Sequence, residues 1–238
     1  MKPHLPSALD APLGRFLVLL DKWNRTHALT ALPPGERREE LLLDAAVLLP
    51  FLAHLPPGAR IVDLGTGMGS PAVVLALARP DLQVLGVDAS AKKLAFLRQV
   101  AMELPVPNLT AVQGRLEDLS SLEADWGTAK ALGSLPSLLA WWGRHGKPGA
   151  PFFALKGPDW EAEGLPGGWA ATPHPYALPN RGKRVLVELR ARDPLERAHV
   201  ARGRLGAAGE ATLVEEQIDA VVLIWVAHVA DHLADFDG

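Results

Sequence analysis

Cysteine is absent from the 238 residues, which excludes disulfides, thiolate metal sites and cysteine nucleophiles and fits a reducing compartment. No run reaches the ~18 apolar residues of a membrane-spanning helix. The opening MKPHLPSALDAPLG has no apolar stretch behind its lone lysine, so no signal peptide is read there, and the expectation is a soluble cytoplasmic protein without a membrane partner. Internal repeats, low-complexity segments and an H-E-x-x-H metal pattern are also missing. Residues 205–238 lack Lys and Arg but carry seven of the 27 acids. The formal charge of −3 therefore hides a body of +4 and a tail of −7, and a nucleic-acid partner is not excluded by the total.

What is present is 48% hydrophobic residues with 22 Gly and 21 Pro, the composition of one sizeable turn-rich globular domain with small additions. Leu13, Phe16, Leu17, Leu20 and Trp23 follow the three-and-four spacing of an amphipathic helix ending near Asn24. Pro33-Pro34-Gly35 turns the chain into a second, strongly apolar helix that runs to Pro56-Pro57-Gly58. From Arg60 short apolar runs alternate with helical ones: ARIVDLG, PAVVLALA, LQVLGVD, AKKLAFLRQVAMEL and LTAVQG. This β-α-β-α-β order predicts a mostly parallel sheet with helices on both faces and a ligand at the carboxyl ends of its strands. PFFALKG and RVLVELRA read as later strands. The Gly-, Pro- and Trp-rich stretch 157–182 between them reads as an irregular insert. In the tail, Val214, Ile218, Val221, Trp225, Val229 and Leu233 mark one apolar helical face, expected to mediate self-association.

The strongest local signal is IVDLGTGMGSPAVVLALA, a strand entering Gly65, Gly67 and Gly69 and then a helix. Glycines let the backbone turn sharply and bring N–H groups to a ligand. Asp88, at the end of the second strand, suits a ribose diol. Nicotinamide dinucleotides and S-adenosylmethionine share this much. Asp63 in V-D-L-G-T-G favours S-adenosylmethionine, because the pattern resembles the first motif of class I methyltransferases.

WNRTHALT, DLGTGMGSPAVVLALARPD, VDASAKKLAFLRQV, GRLEDL and FALKG together resemble the bacterial small-subunit ribosomal RNA methyltransferase G family, also called glucose-inhibited division protein B. The resemblance runs over about residues 10–192. It implies an α/β, Rossmann-like class I methyltransferase fold with an N-terminal helical region (1–58) and an S-adenosylmethionine-binding domain (59–192); the C-terminal helical extension (193–238) has no counterpart in the family and is expected from the apolar spacing of the tail alone. It also implies guanine-N7 methylation of 16S ribosomal RNA. Carried over by position, Gly65, Gly67, Gly69 and Ser70 hold the methionine part of S-adenosylmethionine, Asp88 the ribose, and Leu116 with Glu117 the adenine. Lys130 is the catalytic candidate, Asn24, Asp44 and Lys156 face the substrate, and no metal is expected. Glu40 and Leu41 stand where the family has Arg-His, and Lys130 stands where it has arginine. These departures keep two alternatives open: a paralogue that methylates a small molecule or another RNA, and a non-catalytic S-adenosylmethionine-binding module.

Guanine N7 carries an in-plane lone pair and no proton, so its methylation needs alignment and electrostatic support but no general base. His228 and His232, four apart in the tail, are weak metal candidates. Arg181, Lys183 and Arg184 are candidates for RNA phosphates. Trp141 and Trp142 read as core residues of an apolar helix.

Overall fold

The computed structural model describes residues 1–192. The tail helix, its two histidines and the association expected of it lie outside them. Strands β1 (Arg60–Leu64), β2 (Gln83–Asp88), β3 (Leu109–Gln113), β4 (Trp126–Lys130) and β5 (Phe152–Lys156) pair in parallel, and β6 (Trp169–Leu178) and β7 (Gly182–Ala191) extend the sheet antiparallel beyond β5. The order is β3-β2-β1-β4-β5-β7-β6. The order reverses at β1, whose carboxyl end is therefore the expected ligand crevice.

Alternation along β1 divides the core in two. Ile61 points into a cluster with Leu13, Phe16, Leu48, Val73 and Phe96, whereas Val62 and Leu64 point into one with Leu138, Trp142 and Phe152. The first face carries the N-terminal segment together with α1 (Asp10–His27), α3 (Ala72–Ala78) and α4 (Ala91–Glu103); the second carries α5 (Leu135–His145). These are the helices on both faces that the alternating pattern predicts.

Three local expectations change. First, α1 continues past Asn24 to His27 and stops at Ala28, whose φ of 44° is left-handed. Second, the apolar stretch after Pro33 is not one regular helix. A short turn α2 (Pro34–Arg37) passes into π-helical residues Arg38–Leu43, closed by Asp44 N–H donating to Glu39 O at 2.9 Å, and then into 3₁₀ residues Ala45–Leu52. Pro50 sits inside this last run, where its missing N–H and its ring oppose regular α-helical bonding. Third, part of the supposed irregular insert, Trp169–Leu178, is strand β6. Pro173 and Pro175 disguise it, but β6 is an edge strand paired only with β7, the one sheet position that tolerates missing donors.

Candidate functional site

Strand ends β1, β2 and β4 and the turn after β3 enclose the first cavity. Gly65, Val87, Asp88, Gly114, Leu116, Glu117, Leu132 and Trp141 line its volume of about 210 Å³. The loop after β1 is shaped by backbone conformations that side chains resist: Gly65 has φ 67° and Gly67 φ 57°. A Cβ at position 65 would fall 2.6 Å from Leu132 Cδ1, so glycine is required there for Leu132 to pack against the loop. The N–H of Gly67 donates to Asp88 Oδ2 at 3.0 Å, while Ser90 N–H donates to Oδ1 at 2.8 Å. One carboxylate thus ties the glycine loop to the start of α4.

The far wall is held by residues that sequence patterns did not assign. His145, fully buried, donates from Nε2 to the Leu116 carbonyl at 2.9 Å, so α5 fixes the backbone of Leu116. The Trp141 indole donates to Glu117 Oε1 at 2.9 Å. A hydrogen bond from its own backbone, with that indole bond, holds the Glu117 carboxyl below its usual range. Trp142 is core, as read from the sequence, but Trp141 is half-buried and lines the cavity. The pattern that placed both in one apolar helix could not separate them.

A second cavity of about 370 Å³ lies across the end of β4, lined by Glu40, Asp44, Lys130, Ala131, Leu155, Lys156, Glu163, Tyr176 and Arg184. Consecutive residues after β4 line both cavities, Leu132 the first and Lys130 and Ala131 the second. Ala131 adopts φ 52°, a left-handed strain for a non-glycine residue of the kind that clusters at functional sites. Lys130 Nζ reaches Asp44 Oδ2 at 3.0 Å and donates to the Glu40 carbonyl. Tyr176 Oη donates to Asp44 Oδ1 at 2.5 Å, so both oxygens of this buried carboxylate are engaged. Burial first, and the Asp44 charge second, push the Tyr176 phenol far above its ordinary range. It remains a donor at any working pH.

Lys156 binds Glu163 Oε2 at 2.7 Å and the Gly133 carbonyl at 2.7 Å, and Glu163 accepts the N–H of Leu135 at 2.7 Å. The clamp joins β5, the loop after β4 and the first turn of α5. Glu40 pairs with Arg181 Nε at 3.1 Å and Arg184 at 3.5 Å, and Arg181 also pairs with Glu36. The arginines proposed for phosphates are therefore engaged with carboxylates.

The remaining sequence candidates sit differently. Asn24 lines neither cavity; its carboxamide accepts Thr30 N–H at 2.8 Å and donates to Thr30 O at 3.0 Å, closing the loop after α1. Ser70 Oγ donates to the Leu41 carbonyl at 2.6 Å, joining the glycine loop to the π-helical turn. Gly69, φ 100°, packs against Leu97 and Val73. Asp63 is fully buried beneath the loop and accepts Ala72 N–H at 3.3 Å. Burial raises its carboxyl from 3.8 to about 7, outweighing the lowering by Thr66, the Ala72 amide and Lys130. Among the described residues no group of three or more His, Asp or Glu could hold a metal ion, and no helix is long and apolar enough to cross a membrane.

A glycine loop facing an acidic β2 end, beside a second polar cavity at the order reversal, is found in many α/β enzymes. A family model decides among them. The model described as rRNA small subunit methyltransferase G matches residues 10–166, which include the lining of the first cavity and, of the second, all but Tyr176 and Arg184. The chain belongs to this family. The ribosomal RNA small subunit methyltransferase G of Xanthomonas axonopodis pv. citri is 38% identical over 192 residues, covering 78% of this chain and 89% of the relative. That of Neisseria gonorrhoeae is 38% identical over 170 residues, covering 70% and 80%. Among solved structures, a Klebsiella pneumoniae protein assigned as an O-methyltransferase superposes with a TM-score of 0.52 at 17% identity, covering 79% of this chain and 92% of that one. A geranyl diphosphate methyltransferase in complex with GPP and sinefungin gives a TM-score of 0.50 at 15% identity, covering 63% and 76%. These two establish the fold, and the family membership makes the chain a methyltransferase.

Proposed function

We propose that this methyltransferase uses S-adenosylmethionine to methylate N7 of a guanine in small-subunit (16S) ribosomal RNA, in the cytoplasm. The observation that carries the reading is the pair of cavities meeting across Lys130-Ala131-Leu132. A cofactor in one and a base in the other would approach each other at that divide. The first cavity fits a nucleoside: Asp88 presents carboxylate oxygens for a ribose diol, Leu116 offers a backbone edge, and Glu117 offers an acceptor for an exocyclic amine. Gly65, Gly67 and Gly69 leave the loop bare of side chains where the amino-acid part would lie. When bound, S-adenosylmethionine supplies an electrophilic methyl group.

The chain's own part is alignment and charge support. Lys130 is held by Asp44 and the Glu40 carbonyl, so its ammonium is fixed at the divide without a mobile side chain's entropy cost. There it can donate to guanine O6, next to N7. Asp44 and Tyr176 position Lys130, and Lys156 with Glu163 fixes the loop that carries residues 131–133. No proton leaves N7, so the reaction needs no general base, and the Asp44 carboxylate beside Lys130 is free to hold Lys130 and Tyr176 instead. The change to Glu40 is absorbed by Arg181 and Arg184, which keeps this side of the cavity charge-balanced.

The reading is tested by incubating the protein with methyl-labelled S-adenosylmethionine and undermethylated small ribosomal subunits or their RNA, then digesting to nucleosides. Label in 7-methylguanosine supports it. Lys130→Ala should lower turnover about 10²- to 10³-fold, the scale for losing a fixed electrostatic donor, and Lys130→Arg should retain most of it.

A further inference from the structure

The cations around the substrate cavity are already spent. Lys130, Lys156, Arg181 and Arg184 each face a carboxylate, so Glu40, Asp44 and Glu163 balance Lys130, Lys156 and Arg184 within it. A cavity of that kind suits a base but gives a polyanionic backbone nothing to hold. Affinity for RNA rests mainly on phosphate neutralisation, and that charge has to lie elsewhere.

Unpaired cations cluster on α1 and α4. Arg15, Lys22 and Arg25 on α1 and Lys92, Lys93 and Arg98 on α4 form no ion pair with a described carboxylate, and all but half-buried Lys93 are exposed. The acids of the same helices are otherwise engaged: Asp10 with Arg38, Asp21 with Arg37, and Glu103 with the Gln99 carboxamide at the far end of α4. The two helices are one surface. Phe16 and Trp23 of α1 pack on Phe96 of α4 with ring centroids 6.0 and 5.7 Å apart, and Lys92 Nζ donates to the His27 carbonyl at 2.6 Å. Residues 15, 22 and 25 fall on one side of α1 at 3.6 residues per turn, a basic stripe about 15 Å long. It ends where α4 starts, three residues after Asp88, on the edge of the sheet that carries the cofactor cavity.

We propose that the paired outer face of α1 and α4, through Lys22, Arg25, Lys92 and Arg98, binds the phosphates of the RNA that flanks the methylated nucleotide. The proposal rests on the reading of RNA as substrate. It assigns affinity and chemistry to different places: the α1/α4 face holds the strand, and the balanced cavity accepts the base.

The test uses the full chain and a fragment of small-subunit ribosomal RNA, with binding measured by anisotropy from 50 to 300 mM KCl. Each lost phosphate contact lowers the log–log salt slope by about 0.7 on a single strand, or about fivefold in affinity at 0.1 M. The combined Lys22→Gln, Arg25→Gln, Lys92→Gln and Arg98→Gln variant should lose more than two units of slope and more than 100-fold in affinity. Its KM for RNA should rise, with kcat at saturating RNA and the dissociation constant for S-adenosylmethionine kept. The charge-conserving set, Lys22→Arg, Arg25→Lys, Lys92→Arg and Arg98→Lys, should behave as wild type. A glutamine variant with wild-type slope and KM overturns the proposal and leaves the RNA reading intact. Absence of RNA methylation by the wild-type chain overturns both, and the two failures are distinguished by the wild-type measurement alone.

Discussion

Replacing Asp88 by alanine should weaken S-adenosylmethionine binding through two separable losses. The first is the carboxylate itself, which lines the cavity and is the acceptor proposed for a ribose diol; a hydrogen bond to a charged group is worth about 1.5–3 kcal/mol, or roughly 10- to 150-fold in dissociation constant. The second is loop order. Asp88 accepts from Gly67 N–H at 3.0 Å and from Ser90 N–H at 2.8 Å, and both donors turn to water in the variant, so the left-handed Gly65–Gly67 turn loses its tie to α4. Asp88→Asn keeps one acceptor oxygen and should fall between wild type and alanine. Calorimetric titration with S-adenosylmethionine reads the affinities, and thermal melting checks that each variant stays folded. Wild-type affinity in a folded Asp88→Ala protein would refute the assignment of this cavity to the nucleoside.

Tyr176→Phe removes a hydrogen bond to the buried Asp44 carboxyl and should cost about 2 kcal/mol, read as a fall in melting temperature of roughly 4–8 °C for a domain of this size; an unchanged melting point would show the bond to be dispensable. Gly69→Ala places a Cβ 2.7 Å from Leu97 Cδ1 and 2.8 Å from Val73 Cγ2 at φ 100°, so urea denaturation should show a loss of more than 2 kcal/mol, and a loss below 0.5 would contradict that packing. Asp63 titrates near 7 when folded and near 3.8 when unfolded. Its folded form is the better proton binder between those values, so its contribution to stability is full below pH 4 and declines as pH rises towards 7. Urea midpoints of wild type minus Asp63→Asn should therefore fall from pH 5 to pH 8; a flat difference rejects the shifted carboxyl. Ending the chain at Arg204 removes seven carboxylates and no cation. RNA binding at low salt should tighten, and light scattering should report a smaller species; a full-length monomer would discard the self-association expected of the tail.

The parallel sheet was legible because its signals are local. Ile61, Val62 and Leu64 alternate between two cores within five residues, and the strand-glycine-helix junction is written in consecutive letters. Gly65, Asp88, Leu116 and Glu117 line one cavity and Asp44, Lys130 and Lys156 the other; each ends or closely follows a strand except Asp44, which only the family resemblance pointed to. The supporting residues could not be read this way. Tyr176 meets Asp44 across 132 positions of sequence, His145 reaches Leu116 from another helix, and Glu163 closes a clamp from a 3₁₀ turn. Nothing in their neighbourhoods marks the partner. Edge strand β6 was hidden for a physical reason: its prolines break the strand pattern, yet its outer side needs no donors. Ser70 and Asn24 show the converse: a motif fixes where a residue sits, but not that its side chain hydrogen-bonds back to the chain, at Leu41 and Thr30.

The reaction proposed for this chain carries a methyl group from S-adenosylmethionine to guanine N7 in small-subunit ribosomal RNA. Its most direct test is nucleoside mass spectrometry of small-subunit RNA treated with purified protein and deuterated S-adenosylmethionine. Deuterated 7-methylguanosine should appear at one position and fall about 10²- to 10³-fold with Lys130→Ala. Label on another atom or base, or none with wild-type protein that binds S-adenosylmethionine, would contradict it.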